Sequence, residues 1–168
     1  LKELDAITAE LNHNNINSVA VSLLHAYQNP EHEQAIQRYL KQQLPALQLS
    51  LSSEVSPQLG EYERTSTTVA NAYVQPIFKT YVDRLAQQLQ ALGFAHELLL
   101  ILSDGRCVRR DQAIRFPIRL VQSGPAAGAQ AAQLFGTISG KRDLLCFDMG
   151  GTTAKACLIE DCLLYTSD

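Results

Sequence analysis

The strongest constraint on the fold is a regular alternation of helix and strand patterns in the first third of the chain. Apolar residues recur at helical spacing from Leu1 to Leu11, and a buried strand is predicted over residues 18–24. A helix start follows at Asn29–Pro30, and leucines alternate with polar residues from Leu47 to Leu51, as in a second strand. Short connections in such an α-β-α-β order favour parallel strands, so the sequence predicts an α/β fold.

The rest of the chain continues in mixed helix and strand patterns. A long helix is predicted over residues 61–92, and Pro76 is expected to kink it or split it in two. The remaining predicted elements are strands over 97–103, 114–120, 144–147 and 154–159, and a helix of small residues over 124–135. The last two strands flank a short turn that contains two glycines.

The composition supports a packed globular protein and argues against several function classes. Of the 168 residues, 46% are hydrophobic and 18% are charged, which excludes disorder or a coiled coil as the dominant state. The net charge of −3 offers no basic patch for nucleic acid. The longest aliphatic run, Leu98–Leu102, is too short to cross a bilayer. We therefore expect a cytoplasmic protein with no nucleic-acid partner and no membrane partner.

The cysteines and the single methionine add two expectations. The four cysteines form no CxxC pair and have no histidine cluster nearby, so we expect reduced thiols rather than zinc or a disulfide framework. They are Cys107, Cys146, Cys157 and Cys162. The chain starts at Leu1 and its only methionine is Met149, from which we expect a piece of a longer protein or a processed one.

Residues 147–153, with the sequence Phe-Asp-Met-Gly-Gly-Thr-Thr, point most clearly to chemistry. An apolar strand delivers Asp148, whose carboxylate can hold the water shell of a magnesium ion. Gly150–Gly151 permit a tight turn with N–H groups close to a phosphate, and the hydroxyls of Thr152–Thr153 can donate to the same oxygens. The alternative is a plain β-hairpin with a Gly-Gly turn and no ligand. The residues alone leave both interpretations open.

A second feature is the run of small residues over 123–132. Ser123 can cap a helix whose first turn contains Gly124 and Pro125. The N–H groups at the start of this helix could face a phosphate, or the small side chains could serve only the tight packing of a core helix. One loop and one predicted strand separate this helix from Asp148.

Taken together, these segments resemble a known family. A small-residue helix followed by a strand that ends in Asp-x-Gly-Gly-Thr is similar to the second half of the actin-like ATPase fold. Residues 61–73 (EYERTSTTVANAY), 123–128 (SGPAAG) and 147–152 (FDMGGT) more closely resemble the hydantoinase A and 5-oxoprolinase family. Residues 19–25 (VAVSLLH) and 29–33 (NPEHE) fit the same family. The segments follow the expected order along almost the whole chain, which makes the resemblance specific.

The resemblance implies an ATP-dependent enzyme that opens a cyclic amide, such as a hydantoin or 5-oxoproline, by phosphorylating the amide oxygen. Asp148 would hold Mg²⁺ through water. The residues implied to bind ATP are Asp148, Gly150, Gly151, Thr152, Thr153, Ser123 and Gly124. A companion subunit of the hydantoinase B type is also implied. The resemblance leaves open the substrate ring, the catalytic acid and base, the oligomeric state and the role of Lys155, where many relatives carry an aspartate.

The implied fold is α/β, with parts of two ribonuclease-H-like lobes of the actin-like ATPase type and a long helical connection. Residues 1–58 would end the N-terminal lobe, and residues 59–120 would form the helical connection and a strand region. Residues 121–161 would start the second lobe, and residues 162–168 would be a non-native tail. Because an actin-like site needs both lobes, we expect the chain alone to be inactive and not to bind MgATP tightly.

Two other functions remain open. A ketone carboxylase subunit of the acetone or acetophenone carboxylase kind looks similar and would activate a ketone as its enol phosphate. A non-hydrolase switch of the actin or chaperone type, in which nucleotide drives lobe closure, would use residues 148–153 equally well. The segment 61–73 argues against the switch, because it fits the hydantoinase family alone.

Acidic residues lie at the starts of two predicted helices. Glu31 and Glu33 suit the first turn of one helix, where negative charge is favourable. Glu61, Glu63 and Arg64 head the long helix. Two interpretations are open for this group. The two acids could simply be favourable charges in the first helical turn, or the group could contact a substrate.

Overall fold

The computed structural model describes residues 2–160 and 163–165 of the chain. Its secondary structure is mixed α and β, and the chain divides into two compact units. Unit 1 comprises Leu1–Leu98 and Arg110–Ile118. Unit 2 comprises Leu99–Arg109 and Arg119–Asp168.

Unit 1 is built from helices around one pair of strands. Its elements are α1 (Lys2–His13), β1 (Ser18–Val21), α2 (Glu31–Gln43), β2 (Gln48–Leu51), α3 (Ser52–Val55), α4 (Glu61–Ala91) and α5 (Arg110–Arg115). Strands β1 and β2 pair in parallel, with Ser18 opposite Gln48 and Val21 opposite Leu51. The parallel pairing predicted from the helix–strand alternation is therefore confirmed, although β1 is three residues shorter than the predicted strand 18–24.

The two strands present different faces to different helices because side chains alternate along a strand. Val21, Leu49 and Leu51 join Leu40 of α2 in one buried apolar cluster. Burial of a leucine or valine side chain stabilises a fold by about 1.5–3 kcal/mol. The other face carries small and polar residues, and helix α4 packs on this side, where Ser50 lies within the protein interior. The strands thus position α4 over a polar surface.

Helix α4 runs for 31 residues without a break, so Pro76 does not split it. Proline has no N–H to donate to the carbonyl four residues earlier, which is that of Ala72. The Ser18 hydroxyl of β1 donates to that carbonyl at 2.6 Å. A strand side chain therefore supplies the hydrogen bond that the proline removes. Neither α4 nor any other helix in the described part of the chain is long and apolar enough to cross a membrane.

The strand predicted over residues 114–120 is wrong. Helix α5 ends at Arg115, and a 3₁₀ turn follows over Pro117–Leu120. Pro117 cannot donate to a strand ladder, and Ala113 of α5 is completely buried, as befits the inner face of a short helix. The apolar residues of this segment therefore follow a helical rather than an alternating pattern.

Unit 2 contains two antiparallel sheets and one long helix. Its elements are β3 (Leu99–Ile101), β4 (Cys107–Arg109), α6 (Ser123–Ile138), β5 (Leu144–Met149), β6 (Ala154–Glu160) and β7 (Leu163–Tyr165). Strand β3 pairs with β4, and the second sheet has the order β5-β6-β7. The hairpin predicted at the end of the chain is confirmed. Of the predicted non-native tail 162–168, residues 162 and 166–168 lie outside the described residues, and 163–165 pair with β6.

Gly136 on α6 is required by packing rather than by backbone conformation. It is buried, and a Cβ at this position would collide with the Leu144 side chain and lie 3.0 Å from the Lys141 carbonyl oxygen. A Cβ at Gly128 of the same helix would meet no atom of the described residues within 4 Å outside the helix's own neighbouring backbone. The two glycines therefore differ in the space around them and not in their secondary structure.

Gly136→Ala is expected to lower the free energy of unfolding by about 1–3 kcal/mol, because the new methyl group overpacks the contact between α6 and β5. The matched variant Gly128→Ala is expected to raise it by about 0.5–1 kcal/mol, because alanine favours a helix. Urea denaturation of both variants measures the difference. Equal effects of the two substitutions would contradict the packing argument.

Candidate functional site

The β5–β6 hairpin places an acidic residue and a basic residue side by side. Asp148 of β5 is paired in register with Lys155 of β6, and Cys146 is paired with Cys157. Because side chains two residues apart share a face of a strand, these four residues lie on one face of the hairpin. The same face packs towards α6, since Cys146, Lys155 and Cys157 are half-buried, whereas Phe147 on the opposite face is exposed.

The first turn of α6 lies uncapped beside this face. The helix begins at Ser123, so Gln122 occupies the cap position, and no side-chain cap hydrogen bond is found for this helix among the described residues. The prediction that Ser123 caps the helix is therefore wrong. Gln122 has the unusual φ of 67°. The N–H groups of the first turn remain available to an anion, as helix N-termini often do.

These two elements line one cavity of about 600 Å³ within unit 2. The hairpin contributes Cys146, Asp148, Lys155 and Cys157 to its lining. The start of α6 contributes Pro125, Ala126 and Ala129. Ser103, which lies two residues after the end of strand β3, adds a hydroxyl. The cavity therefore combines one carboxylate, one ammonium group and a helix N-terminus.

Asp148 and Lys155 are both available to a ligand. Neither side chain makes an ion pair or a hydrogen bond within the described part of the chain. A magnesium ion that is held through water needs few protein ligands, since Mg²⁺ is commonly bound by one or two carboxylates and several waters. In the described residues, no three His, Cys, Asp or Glu side chains gather as a fully protein-ligated metal would require. The residues present thus fit a water-mediated magnesium ion better than a closed metal site.

The other sequence-predicted residues lie around this cavity in different ways. Ser123 and Gly124 flank lining residues at the start of α6 but do not line the cavity themselves. Gly150, Gly151, Thr152 and Thr153 form the exposed turn of the hairpin, outside the lining. The turn is closed by the Gly150 N–H, which donates to the Thr153 carbonyl at 2.9 Å. The structure therefore brings Asp148 and the α6 start together and places the Gly-Gly turn at the hairpin tip.

Sequence reasoning left out Cys146, Cys157 and Gln122 as lining residues. A signal for the first two was present, since each lies two residues from Asp148 or Lys155 on the same strand and must share its face. No comparable signal exists for Gln122, because its left-handed backbone conformation is typical of glycine or asparagine.

In unit 1, Glu33 is completely buried and is not a solvated first-turn acid. One carboxylate oxygen accepts hydrogen bonds from the Leu23 N–H at 2.9 Å and the Ser52 hydroxyl at 2.6 Å. The other accepts from both the N–H and the hydroxyl of Ser53, at 2.9 and 2.7 Å. A buried carboxylate requires such a set of donors, so Glu33 joins α2 to α3 and to the segment that follows β1.

Arg64 of α4 is buried next to this carboxylate. Its guanidinium donates to the Ser52 hydroxyl at 3.1 Å and to the backbone carbonyls of Leu23 and Gln58 at 2.8 and 3.3 Å. It also lies 5.5 Å from the centre of the Tyr27 ring. Ser52 thereby bridges the negative Glu33 and the positive Arg64. These contacts favour a structural role for Arg64 over contact with a substrate.

Glu61 and Asn71 complete this arrangement along α4. Glu61 accepts a hydrogen bond from the His25 N–H at 3.4 Å and lies 3.5 Å from Arg64. The His25 N–H, followed by the N–H of Glu61 itself and then by the Arg64 guanidinium, holds the pKa of Glu61 below its usual range. Asn71 donates to the Ser50 hydroxyl and the Arg115 carbonyl and accepts from the Ile118 N–H. The buried residues of the motif 61–73 therefore serve the interior of unit 1, whereas Tyr62 and Tyr73 of the same motif are exposed.

Comparison with known proteins identifies a family along most of the chain. The family described as hydantoinase/oxoprolinase matches residues 64–166, and its N-terminal region matches residues 1–44. The two matches follow the chain in order and include the α6–β5–β6 region that forms the cavity.

Individual relatives agree with this match. An uncharacterised protein of Methanocaldococcus jannaschii is 37% identical over 158 residues, which cover 94% of this chain and 23% of that protein. The caprolactamase subunit alpha of Pseudomonas jessenii is 33% identical over 142 residues, covering 82% of this chain and 20% of the relative. The acetophenone carboxylase gamma subunit of Aromatoleum aromaticum is 27% identical over 150 residues, covering 86% and 20%. The chain thus spans about a fifth of the length of each of these three relatives.

A solved structure shares the fold. Acetone carboxylase in its nucleotide-free form superposes with a TM-score of 0.75 and 22% sequence identity, over 95% of this chain and 23% of that one. At this level of identity the likeness establishes the fold and not the activity.

Proposed function

The chain belongs to the hydantoinase/oxoprolinase family, and we propose that it forms one nucleotide-binding half-site of an ATP-dependent enzyme that opens cyclic amides. One observation carries the proposal. Asp148 and Lys155 line the same cavity as the uncapped start of α6, and neither side chain has a partner within the described residues. A phosphate group with its magnesium ion needs this combination of positive and negative charge.

Each residue would act on phosphate charge rather than on the amide itself. Asp148 would hold Mg²⁺ through water, and the Lys155 ammonium group would lie against phosphate oxygens. The N–H groups of Ser123 and Gly124 at the start of α6 would add fixed dipoles of the same sign. Gly150, Gly151, Thr152 and Thr153 would meet the phosphates from the hairpin tip. ATP would supply a phosphoryl group to the amide oxygen, which makes the ring carbon electrophilic, so that water can attack this carbon and the ring C–N bond can break.

The proposed architecture is that of the actin-like ATPases, with ribonuclease-H-like lobes. In this proposal residues 1–58 end one lobe, 59–120 form the connection and 121–161 begin the second lobe. The exposed apolar face of the β5–β6 hairpin supports the proposal that further protein covers this side of unit 2. Leu145, Phe147 and Met149 are 71%, 62% and 72% exposed, and a sheet face of this kind is normally covered.

A companion subunit belongs to the proposal as well. Two of the relatives above are named as subunits, of a caprolactamase and of an acetophenone carboxylase. We place the complete enzyme in the cytoplasm, where ATP is available, and expect the companion to be of the hydantoinase B type.

The test is ATP turnover by the complete gene product that contains this chain, purified with its companion subunit. We expect ADP release to rise several-fold when the correct cyclic amide is added from a panel of hydantoin, 5-oxoproline and caprolactam. Release of the ring-opened acid, measured by mass spectrometry, should match ADP release. No stimulation by any member of the panel would overturn the hydrolase proposal.

A ketone carboxylase is the second candidate, because the acetophenone carboxylase gamma subunit aligns over 86% of the chain. The same preparation distinguishes it. Acetone or acetophenone would then stimulate ADP release only when bicarbonate is present, whereas amide opening needs no bicarbonate.

A further inference from the structure

Two cysteines face each other across the hairpin that carries Asp148 and Lys155. Cys146 and Cys157 are directly opposite in the antiparallel register of β5 and β6. Both side chains are half-buried, and both line the cavity of about 600 Å³. On each strand the cysteine is two residues from Asp148 or Lys155, so the pair lies next to these two residues on the same face. Two thiols in one cavity, on adjacent strands, form a feature that phosphate binding does not use.

The register sets the distance between the two thiols. Directly opposed residues of an antiparallel pair have Cα atoms about 4.5–5.5 Å apart, and a disulfide spans about 4.4–6.8 Å between Cα atoms. The Cβ atoms of opposed residues are about 4.5–5.5 Å apart, which slightly exceeds the usual Cβ separation of a disulfide. A bond between these thiols therefore needs a small approach of the two strands, and a bond under such strain is readily reduced.

We propose that Cys146 and Cys157 form a reversible cross-strand disulfide, which makes this cavity a site of thiol oxidation by small disulfides. One thiolate attacks a sulfur of a low-molecular-weight disulfide such as oxidised glutathione, and one molecule of glutathione leaves as its thiolate. The second protein thiolate then attacks the protein sulfur of the mixed disulfide and displaces the second glutathione. The protein loses two electrons and two protons, and the small disulfide is reduced to two thiols. This reaction does not rest on the proposed function.

The experiment uses the 168-residue chain with Cys107→Ser and Cys162→Ser, so that only the opposed pair remains. After treatment with oxidised glutathione, we expect a mass about 2 Da lower and the loss of both thiols that react with iodoacetamide. Trypsin cleaves after Arg142 and Lys155, so it leaves Cys146 and Cys157 on separate peptides that the disulfide would join.

A matched control moves one thiol to the other face of β6. In the same background, Cys157→Ser with Leu158→Cys keeps two cysteines, but Leu158 is opposite Leu145 and its side chain points away from Cys146. We expect this variant to stop at mixed disulfides with glutathione. Circular dichroism checks that both proteins fold. Mixed disulfides or linked dimers alone in the protein with the opposed pair, or an internal disulfide at equal rate in the control, would overturn the proposal.

Discussion

Replacing Arg64 with methionine is expected to lower the free energy of unfolding by about 3–5 kcal/mol, which is the usual cost of removing one member of a buried charged network. Methionine matches the length of the arginine stem but donates no hydrogen bond. The Leu23 and Gln58 carbonyls would lose their guanidinium donor. The buried Glu33 carboxylate would lose the nearby positive charge of Arg64, to which it is linked by hydrogen bonds through the Ser52 hydroxyl. Urea denaturation followed by circular dichroism measures the change.

The control for this prediction lies on the same helix. Arg84 is exposed, so Arg84→Met is expected to change the free energy of unfolding by less than about 0.5 kcal/mol. If Arg64→Met does not fold, Arg64→Lys keeps the charge with fewer donors, and we expect it to cost about 1–3 kcal/mol. A cost below about 1 kcal/mol for Arg64→Met would show that the network contributes little.

The sequence predicted those parts of the fold that depend on hydrophobic period. The alternation of residues 1–51 predicted the parallel pairing of β1 and β2, and the two apolar runs around residues 150–153 predicted the β5–β6 hairpin. The segment 114–120 failed because its burial follows a helix and its Pro117 cannot enter a ladder. The continuity of α4 through Pro76 could not be predicted, since it depends on the Ser18 hydroxyl, which is far away in sequence.

The candidate site was predictable to a different degree in each unit. Asp148 follows an apolar strand, and this local pattern was sufficient to place it at a hairpin. Glu33 and Arg64 looked like charges of first helical turns, and nothing in their local sequence shows that both are buried. Burial of a charge depends on donors from distant segments, here Leu23 and Ser52–Ser53, which a single sequence does not bring together. Residues that resemble a family's motif can therefore serve either the ligand or the interior.

This division separates two kinds of expected effect. Substitutions in the Glu33–Ser52–Arg64 network should change the stability of the protein, and they should alter activity only as a consequence of that change in stability. Asp148 and Lys155, which line the cavity, have no such network, since neither makes an ion pair or a side-chain hydrogen bond among the described residues. Their substitution should leave stability nearly unchanged and act on turnover. The same separation allows the proposed function to be tested without confusion from unfolding.

Asp148→Asn is accordingly expected to lower the kcat of substrate-stimulated ATP turnover by about 10²–10³-fold in the complete gene product, the usual loss when one preorganised electrostatic group is removed. Asparagine keeps the size of the side chain and the strand register with Lys155 but removes the negative charge that would hold Mg²⁺. The Mg²⁺ concentration needed for half-maximal rate should rise as well. Glu160→Gln makes the same chemical change on the exposed part of β6, outside the cavity lining, and should keep kcat within about twofold. Thermal unfolding of both variants should match that of the parent protein. Full turnover in Asp148→Asn with an unchanged Mg²⁺ dependence would remove this carboxylate from the proposed site, whatever the substrate proves to be.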